Sequence, residues 1–308
     1  MSSLIILFVT VAAFAVSAWF TRQFCSPDSV VYMLDHPNER SLHARPTPRT
    51  GGIGILAAVY FVGLASAFYY GFAGGELLWL AGLGALVGAT SFADDRFGLS
   101  PMYRLAAHMA AAALLVYAVF RLPGPVALPG LAWDLPRPLL DLFAVLFVVW
   151  MINLYNFMDG MDGFAGGMAV FGFGTFVVLG WSAGHESFAL LALIVTAAAG
   201  GFLLFNFPPA RIFMGDVGST VLGFLAAVLI LWAQRDGIFP FWIGVLVFSP
   251  FIVDATVTLI RRVLRGEKFW RAHKTHFYQR LARAGWGHRR AVLLEYAIML
   301  GCGITALW

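Results

Sequence analysis

The sequence predicts an all-α, polytopic integral membrane protein. Of the 308 residues, 60% are hydrophobic and only 12% are charged, whereas soluble domains are about 45–50% apolar and about 25% charged. The apolar stretches are continuous and close to the ~20 residues that a membrane-spanning helix needs. Open sheets cannot satisfy their backbone hydrogen bonds in lipid, so these stretches indicate a bundle of helices.

The apolar runs predict about ten transmembrane helices in a single domain that covers residues 1–308. They lie near residues 3–20, 53–71, 76–93, 102–120, 138–155, 164–182, 187–205, 217–234, 239–260 and 290–307. The first run has no basic segment before it and no small-residue cleavage motif after it, so we interpret it as a span and not as a removed signal. Between the fourth and fifth spans, the Pro- and Gly-rich segment 121–137 predicts a short ordered loop or hairpin.

The distribution of Lys and Arg predicts the orientation of the chain. Of the 20 basic residues, 17 fall in the segments 21–52, 94–104, 156–163, 206–216 and 261–290, which share one side of the predicted membrane. The positive-inside rule makes these the cytoplasmic loops and places both termini outside. The net charge of +4 reflects this bias, and no basic stripe with stacking aromatic residues indicates nucleic-acid binding.

Five aspartates lie at the cytoplasmic ends of predicted helices: Asp94, Asp95, Asp159, Asp162 and Asp216. Each one alone could simply cap a helix. Five on one face, flanked by Gly, Asn or Pro, would repel one another unless a cation or protons neutralised them. Oxygen-rich clusters suit Mg²⁺ or Mn²⁺. The sequence therefore predicts a hard-cation site at the cytoplasmic edge.

Basic residues from two cytoplasmic loops could face this cluster. His273 and His276 lie near Arg271 in the last loop, and Arg45 lies in the first loop, where prolines 46 and 48 disfavour a helix. We expect phosphate contact from these side chains, although topology and contact with anionic lipid would also explain them. His288 has no such companion, and we interpret it as structural.

Three other polar or small features have ordinary explanations. Asp254 follows Pro250 within the ninth predicted span, where it would cap a backbone group freed by the proline. His108 is expected to make a hydrogen bond between helices. Gly166 and Gly167 could allow either close ligand approach or close helix packing.

Carboxylates, a hard cation and Arg or His side chains around one site suggest chemistry on a diphosphate. A cation neutralises phosphate oxygens and the leaving group, and phosphoryl transfer needs positioning and charge stabilisation more than covalent help. A site at the cytoplasmic membrane edge could join a soluble nucleotide to a lipid phosphate.

Four motifs carry a resemblance to a known family. The segments SFADDRFGLSPMYRL, NLYNFMDGMDGFAGG, NFPPARIFMGDVGSTVLGF and RAHKTHFYQRL, together with the first loop DHPNERSLHARPTPRTGGIGI, resemble in order the signatures of the polyprenyl-phosphate N-acetylhexosamine-1-phosphate transferases, which form glycosyltransferase family 4. The last motif is most similar to the O-antigen-initiating, WbpL-like branch. Gly98 departs from the WecA-like branch, which often has an acid at this position and carries an eleventh span.

The resemblance implies a reaction. An N-acetylhexosamine 1-phosphate would pass from a UDP-amino sugar to undecaprenyl phosphate, with release of UMP, in a bacterial inner membrane. It implies a requirement for Mg²⁺, for which Mn²⁺ could substitute, and a possible homodimer. The product would initiate O-antigen or another cell-surface polysaccharide. The alternatives within the family are a peptidoglycan lipid I-type enzyme and a WecA-type UDP-GlcNAc transferase.

Carried over to this sequence, and joined with the basic loops, the resemblance implies four sets of site residues. They are catalytic Asp94, Asp95 and Asp159; metal-binding Asp216, Asn156 and Asp95; nucleotide-binding Asp162, Asn206, Phe213 and Asn153; and phosphate- or sugar-binding His273, His276, Arg45 and Arg271. Asp94 could act as a base or as a covalent nucleophile. Because a lipid phosphate is largely a dianion near neutral pH, with a second pKa of roughly 6, we expect direct attack by the phosphate.

Proteins of other classes could also carry acids in a membrane. A cation transporter would place them mid-membrane on broken helices with repeat symmetry, and an intramembrane aspartyl protease would need two facing aspartates within spans. A non-catalytic scaffold that kept the fold is a third possibility. The acids here gather at one end of the predicted helices, which favours the transferase.

Overall fold

The computed structural model describes residues 2–37, 43, 45–70, 74–124, 126–128, 131–133, 135–267 and 274–308. Helices dominate this part of the chain. They are α1 (Ser3–Phe24), α2 (Gly51–Tyr70), α3 (Gly74–Phe97), α4 (Pro101–Ala118), α5 (Arg137–Met158), α6 (Phe164–Ser182), α7 (Glu186–Asn206), α8 (Gly215–Asp236), α9 (Phe241–Val247), α10 (Ser249–Leu264), α11 (Phe277–Leu281) and α12 (Gly287–Ala306). A π-helical turn, Ala282–Trp286, joins α11 to α12.

Two small antiparallel hairpins interrupt the helices. Strands β1 (Leu34–Asp35) and β2 (Thr47–Pro48) pair in the first predicted cytoplasmic loop. Strands β3 (Val126–Leu128) and β4 (Leu131–Trp133) pair between α4 and α5. The second hairpin confirms the prediction for segment 121–137.

The prediction of an all-α polytopic membrane protein is confirmed. Within the described ranges, seven helices are long and apolar enough to cross a membrane: α1, α2, α3, α5, α6, α7 and α8. The remaining predicted spans also fall on helices, but α4 and α12 do not meet the same criterion of length and apolarity. The count of ten spans and the outside position of both termini therefore stay predictions.

The ninth predicted span is a bent pair of helices and not one continuous helix. Helices α9 and α10 meet at an angle of 82°. Pro250 is at the first turn of α10, where its missing N–H costs nothing but where a preceding helical turn cannot continue through it. The proline therefore redirects the chain within the predicted span 239–260, and the sequence analysis did not predict this bend.

Helix α8 forms the centre of the bundle. Of the residues in its apolar, membrane-spanning stretch, 89% are buried within the protein. The helix packs against α2, α3, α5 and α9. A helix that is apolar on all sides is one that is enclosed by others. Because α8 begins at Gly215, next to Asp216, the most enclosed helix carries one of the candidate acids at its first turn.

Candidate active site

A cavity of about 260 Å³ lies where α3, α5 and α8 present their predicted cytoplasmic ends, covered by the β1–β2 hairpin and the start of α12. Six of the residues predicted for the site line it: Asp95, Asp159, Asp162, Asn206, Phe213 and Asp216. The structure thus brings together side chains that are up to 121 positions apart in the sequence.

Main-chain pairing draws the first loop onto the start of α8. The N–H groups of Gly51 and Gly52 donate to the carbonyl oxygens of Phe213 (3.0 Å) and Met214 (2.8 Å), and the Phe213 N–H donates to Pro48 O (2.7 Å). Gly215 follows with φ of +72°, and a Cβ atom there would lie 2.0 Å from the Arg49 carbonyl oxygen. Only glycine fits this position without strain, so Gly215 lets the Arg49 backbone lie against the start of α8.

Two arginines bridge the acids at the helix ends. Arg104 Nη1 contacts Asp94 Oδ2 and lies 3.5 Å from Asp216 Oδ2. Arg49 Nη1 lies 3.4 Å from Asp95 Oδ1, and the Arg49 guanidinium also donates to the Asp95 carbonyl oxygen. Unlike charges at these distances attract one another. The arginines therefore hold part of the acid cluster together without a ligand.

Asp216 is also fixed by neutral groups. Its backbone N–H donates to Asp95 Oδ2 at 3.0 Å, which is the favourable placement of a carboxylate at a helix N-terminus. The Asn156 amide, from the end of α5, donates to Asp216 Oδ1 (2.9 Å) and to Ser219 Oγ (3.0 Å). Both amide contacts use Nδ2, so the amide oxygen of Asn156 retains acceptor capacity.

Asp159 follows the last residue of α5 and lines the cavity. Its removal from water raises the pKa of its carboxyl to about 8, and the nearby carboxylates of Asp216, Asp95, Asp162 and Asp35 raise it further in the same direction. The ordinary pKa of this carboxyl is 3.8. With a pKa of about 8, Asp159 is protonated and neutral in most of the molecules at neutral pH when no metal is bound. A pKa raised by like charges is a mark of a functional site.

A second group of residues is held by contacts that do not involve the two arginines. The Ala210 N–H donates to Asp162 Oδ2 at 3.0 Å, and His288 Nδ1 lies 3.1 Å from Asp162 Oδ1. Asn206 ties two loops together, because its Oδ1 accepts from the Gly163 N–H and its Nδ2 donates to Ile212 O, both at 2.9 Å. Phe213 also lines the cavity.

The β1–β2 hairpin covers the Phe213 side of the cavity. The His43 ring meets the Phe213 ring edge-on with centroids 4.8 Å apart, and His43 Nε2 lies 3.4 Å from Asp35 Oδ2. Asp35 and His43 both line the cavity. The first loop therefore supplies an acid and a histidine as well as Arg49.

Other predicted site residues are placed outside the cavity lining. Asp94 is beside it, held by Arg104. Asn153 lies in α5, where its Nδ2 donates to Val149 O (2.7 Å) and lies 3.4 Å from His108 Nδ1. Arg45 is exposed on the first loop. His273 and Arg271 lie outside the described residues.

His276 is buried and faces Asp254 instead of the cavity, with its Nδ1 3.1 Å from Asp254 Oδ1. Asp254 also accepts from the backbone N–H groups of Phe277 (3.0 Å) and Tyr278 (3.1 Å). The interpretation of Asp254 as a cap for a group freed by Pro250 is therefore wrong. It caps the N-terminus of α11, a helix distant in sequence.

The two glycines with alternative interpretations pack against helices. A Cβ atom at Gly166 would lie 3.2 Å from Leu203 Cδ1, and one at Gly167 would lie 1.9 Å from Tyr296 Cε1. The structure thus supports the packing alternative for both. Close approach of α12 to α6 depends on the missing side chain of Gly167.

The predicted site residues left out six polar or charged side chains of the site: Asp35, His43, Arg49, Arg104, Gln279 and His288. Arg104 lies ten residues after Asp94 across a helix break, so its pairing follows from the turn between α3 and α4. His288 was interpreted as structural because no second histidine or acid lies near it in sequence. Its partner Asp162 comes from another loop, and only the packing of α12 reveals the pair.

Magnesium fits the chemistry of these groups. Among the described residues, no three His, Cys, Asp or Glu side chains form a ready-made metal-binding group. Mg²⁺ usually keeps several waters and is bound by one or two carboxylates together with substrate phosphates, so it does not need a complete protein cage. Burial and the clustered carboxylates raise the pKa of Asp159. A hard cation would bind the carboxylate oxygen atoms and neutralise their charge.

Comparison with known proteins identifies the family. Residues 77–234 match the family model of glycosyl transferase family 4. The chain belongs to this family. The predicted relation to the polyprenyl-phosphate N-acetylhexosamine-1-phosphate transferases is confirmed, and the WbpL-like branch is not distinguished from the others.

Three relatives illustrate the similarity. The chain is 32% identical to a probable undecaprenyl-phosphate N-acetylglucosaminyl 1-phosphate transferase of Bacillus subtilis, with 89% of this chain and 76% of the relative covered. It is 31% identical to a decaprenyl-phosphate N-acetylglucosaminephosphotransferase of Mycobacterium leprae (88% and 74% covered). It is 29% identical to an undecaprenyl-phosphate alpha-N-acetylglucosaminyl 1-phosphate transferase of Escherichia coli (90% and 77% covered).

Proposed function

We propose that this protein transfers N-acetylhexosamine 1-phosphate from a UDP-amino sugar to undecaprenyl phosphate. An oxygen of the lipid phosphate attacks the phosphorus that carries the sugar. The bond from this phosphorus to the bridging oxygen breaks, and UMP leaves with that oxygen. The product is an undecaprenyl-diphospho-sugar in the membrane.

The observation that carries the proposal is the acid cluster between two arginines at one end of a membrane helix bundle. Asp95 and Asp216 contact Arg49 and Arg104 in or beside a cavity of about 260 Å³. Arginines are suited to phosphate oxygens, and the carboxylates are suited to the hard cation that usually accompanies a diphosphate. The named activities of the relatives support the same reaction class.

Mg²⁺ is part of the proposal, with Mn²⁺ as a substitute. Asp216 would be the main ligand, and Asp95 and the free amide oxygen of Asn156 would complete the protein's share of the coordination. When bound, the metal would neutralise diphosphate oxygens and the leaving group. Water and substrate oxygens would fill the remaining positions, as is usual for Mg²⁺.

The chain's own residues would position the reactants and balance their charge. Arg104 lies between Asp94 and Asp216, so it can exchange a carboxylate contact for a phosphate contact when the acceptor enters. Asp94 is already paired with Arg104, and this pairing supports direct attack by the lipid phosphate over a covalent step on Asp94. Asp159 would lose its proton when a cation enters the cavity.

For the donor, two candidates have separate support. The relatives named above are all N-acetylglucosaminyl or N-acetylglucosamine phosphotransferases, which favours UDP-GlcNAc, as in the WecA-type alternative. The motif RAHKTHFYQRL favours an O-antigen-initiating enzyme whose donor could be another UDP-amino sugar. We propose initiation of a cell-surface polysaccharide in the bacterial inner membrane, with UDP-GlcNAc as the first donor to test.

The cation-transporter alternative has less support. A transporter of that kind would hold its acids mid-membrane on broken helices. Here Asp95 and Asp216 lie near the ends of α3 and α8, and the bent pair α9–α10 contributes Asp254 to a loop cap.

A transfer assay tests the proposal. Purified protein, undecaprenyl phosphate and Mg²⁺ are incubated with UDP-GlcNAc, UDP-GalNAc or 6-deoxy UDP-amino sugars, and the lipid product and UMP are measured by mass spectrometry. We expect product from one donor, its loss in EDTA, and its loss in Asp216→Asn. Folded wild-type protein that forms no product from any donor would contradict the proposed reaction, and undiminished turnover in EDTA would contradict the metal assignment.

A further inference from the structure

His288 lies at the start of α12 and in the wall of the cavity. Its Nδ1 is 3.1 Å from Asp162 Oδ1, and its side chain is 21% exposed. The residue is thus directed at an acid of the site and is accessible to a ligand in the cavity. It also lies outside the segment 77–234 that matches the family model.

The position of His288 is set by a stripe of α12 that packs on the start of α6. His288, Val292 and Tyr296 are spaced by four residues, which places them along one helix face. The Tyr296 hydroxyl donates to Gly163 O at 2.7 Å, and a Cβ atom at Gly163 would lie 3.5 Å from Val292 Cγ2. Gly163 directly follows Asp162, so the stripe holds His288 opposite that carboxylate.

The residues in and beside the cavity form two groups with different chemistry. Arg49 and Arg104 hold Asp94, Asp95 and Asp216, and this group suits phosphate and metal. Asp162, Asn206 and the aromatic ring of Phe213 belong to the other group, and they suit a planar heterocycle with hydrogen-bonding edges. Asn206 already uses its amide for Gly163 and Ile212, so within this group of three Asp162 is the side chain with acceptor capacity to spare.

An acceptor at this place discriminates between pyrimidine bases. An ionised carboxylate has about four acceptor sites and no donor. The Ala210 N–H uses one and His288 uses another, so further sites can accept a hydrogen bond from a ligand. Uracil presents an N–H at N3, whereas cytosine presents a lone pair there, and two acceptors facing each other repel.

We propose that His288 is a positioning residue for the nucleotide: it orients Asp162 as a hydrogen-bond acceptor, and so sets the preference for a uridine over a cytidine donor. This inference rests on the proposed transfer from a UDP-sugar. A hydrogen bond to a charged group stabilises more than one between neutral groups. A site rejects the wrong ligand when that ligand leaves a polar group of the site unpaired. A wrongly oriented Asp162 would therefore discriminate less between the two bases.

The variants separate this role from a structural one. His288→Leu removes the donor to Asp162, whereas His288→Asn keeps a donor near the position of Nδ1. Leu293→Ala is the matched control, because Leu293 is an exposed residue of α12 outside the stripe and its loss leaves His288 in place. Thermal unfolding of each purified variant checks that it is folded.

The readouts are the KM for the UDP-sugar, kcat, and the ratio of kcat/KM for UDP- over CDP-linked donor. For His288→Leu we expect a KM increase of roughly tenfold or more, by loss of one charged hydrogen bond, a smaller change in kcat, and a fall in the UDP/CDP ratio. His288→Asn should restore most of both. Leu293→Ala should leave both the KM and the ratio at the wild-type values.

Calorimetric binding of UMP to the same proteins makes the outcomes distinct. Wild-type KM and UDP/CDP ratio in folded His288→Leu would overturn the inference and leave the proposed reaction intact. Suppose that the wild-type protein binds UMP but transfers nothing, and that His288→Leu binds UMP more weakly. This result would overturn the reaction and support the inference. Wild-type protein that binds no uridine nucleotide would overturn both.

Discussion

Arg104 connects the two ends of the acid cluster through a single side chain. Its Nη1 contacts Asp94 Oδ2 and lies 3.5 Å from Asp216 Oδ2. We expect Arg104→Ala to lower transfer by roughly 100-fold or more, the range seen when one donor that stabilises developing charge is removed. Steady-state kinetics on purified protein measures this effect.

The matched control for Arg104 is Arg96. It is also an arginine of the α3–α4 region, but it is exposed to solvent. Arg96→Ala should keep near wild-type turnover. An equal loss of turnover in both variants would contradict the role of the specific Arg104 contacts. It would mean that only the overall positive charge at this edge of the protein matters.

Asp159 predicts how the stability of the metal-free protein depends on pH. Burial and neighbouring carboxylates raise its pKa from 3.8 to about 8, so between these values the folded state binds more protons than the unfolded state. The contribution of Asp159 to the free energy of unfolding is therefore present at low pH and is lost as the pH rises through about 8. In EDTA, the unfolding temperature should fall from pH 5 towards pH 9, both chosen as roughly bracketing the titration.

The variant Asp159→Asn removes the titrating group and should flatten this pH dependence. Asp28→Asn is the control, because Asp28 is exposed on the loop after α1. Differential scanning fluorimetry in detergent suffices for all three proteins. An unchanged slope in Asp159→Asn would show that other groups cause the pH dependence.

At the scale of elements, Asp254 holds α11 against the end of α10. Its two oxygens accept from Thr258, His276, Phe277 and Tyr278. Asp254→Asn replaces one acceptor oxygen by an NH₂ group that faces donors. We expect faster hydrogen exchange over 274–281 and reduced transfer, because Gln279 of α11 lines the cavity.

A milder variant controls for the Asp254 experiment. Thr258→Val removes only one of the donors to the carboxylate, so it should leave exchange in α11 near that of the wild type. Hydrogen exchange with mass spectrometry reads both variants in the intact chain. Unchanged protection of α11 in Asp254→Asn would contradict the anchoring role.

The elements show which features a sequence pattern can reveal. Continuous apolar runs located every helix of membrane length, because their signal is local and strong. The bend between α9 and α10 was missed, although Pro250 was visible, because the pattern does not show whether a proline kinks a helix or ends it. The partner of Asp254 was missed because α11 returns to α10 only through tertiary packing.

The site was predictable where residues share a motif. Asp95, Asp159, Asp162, Asn206, Phe213 and Asp216 were predicted and line one cavity. Arg49 and His288 were not assigned to it, because their positions depend on the Gly215 approach and on the packing of α12 on α6. Charge patterns show which side a residue is on, but not which partner it meets.

At the scale of the whole molecule, the orientation in the membrane stays a prediction. It follows from the 17 of 20 basic residues on one side. After Cys25→Ser and Cys302→Ala, single cysteines can be introduced as Ser100→Cys on the predicted inside and Ala183→Cys on the predicted outside, both exposed positions. A membrane-impermeant maleimide should label Ala183→Cys in intact cells and Ser100→Cys only after permeabilisation.

The reverse labelling pattern would place the acid cluster outside the cell, away from nucleotide sugars, and would contradict the proposed donor. Labelling of both positions in intact cells, with cell integrity verified, would contradict the assignment of Ser100 and Ala183 to opposite sides.

The central claim is that a sugar 1-phosphate moves as a unit from nucleotide to lipid. The most direct measurement uses UDP-GlcNAc that carries a radioactive phosphorus in the phosphate attached to the sugar, incubated with the purified protein, undecaprenyl phosphate and Mg²⁺. We expect the label in a lipid-linked diphospho-sugar and none in the UMP released. Label that stays with the nucleotide while the sugar reaches the lipid would contradict the account, because the protein would then transfer the sugar alone.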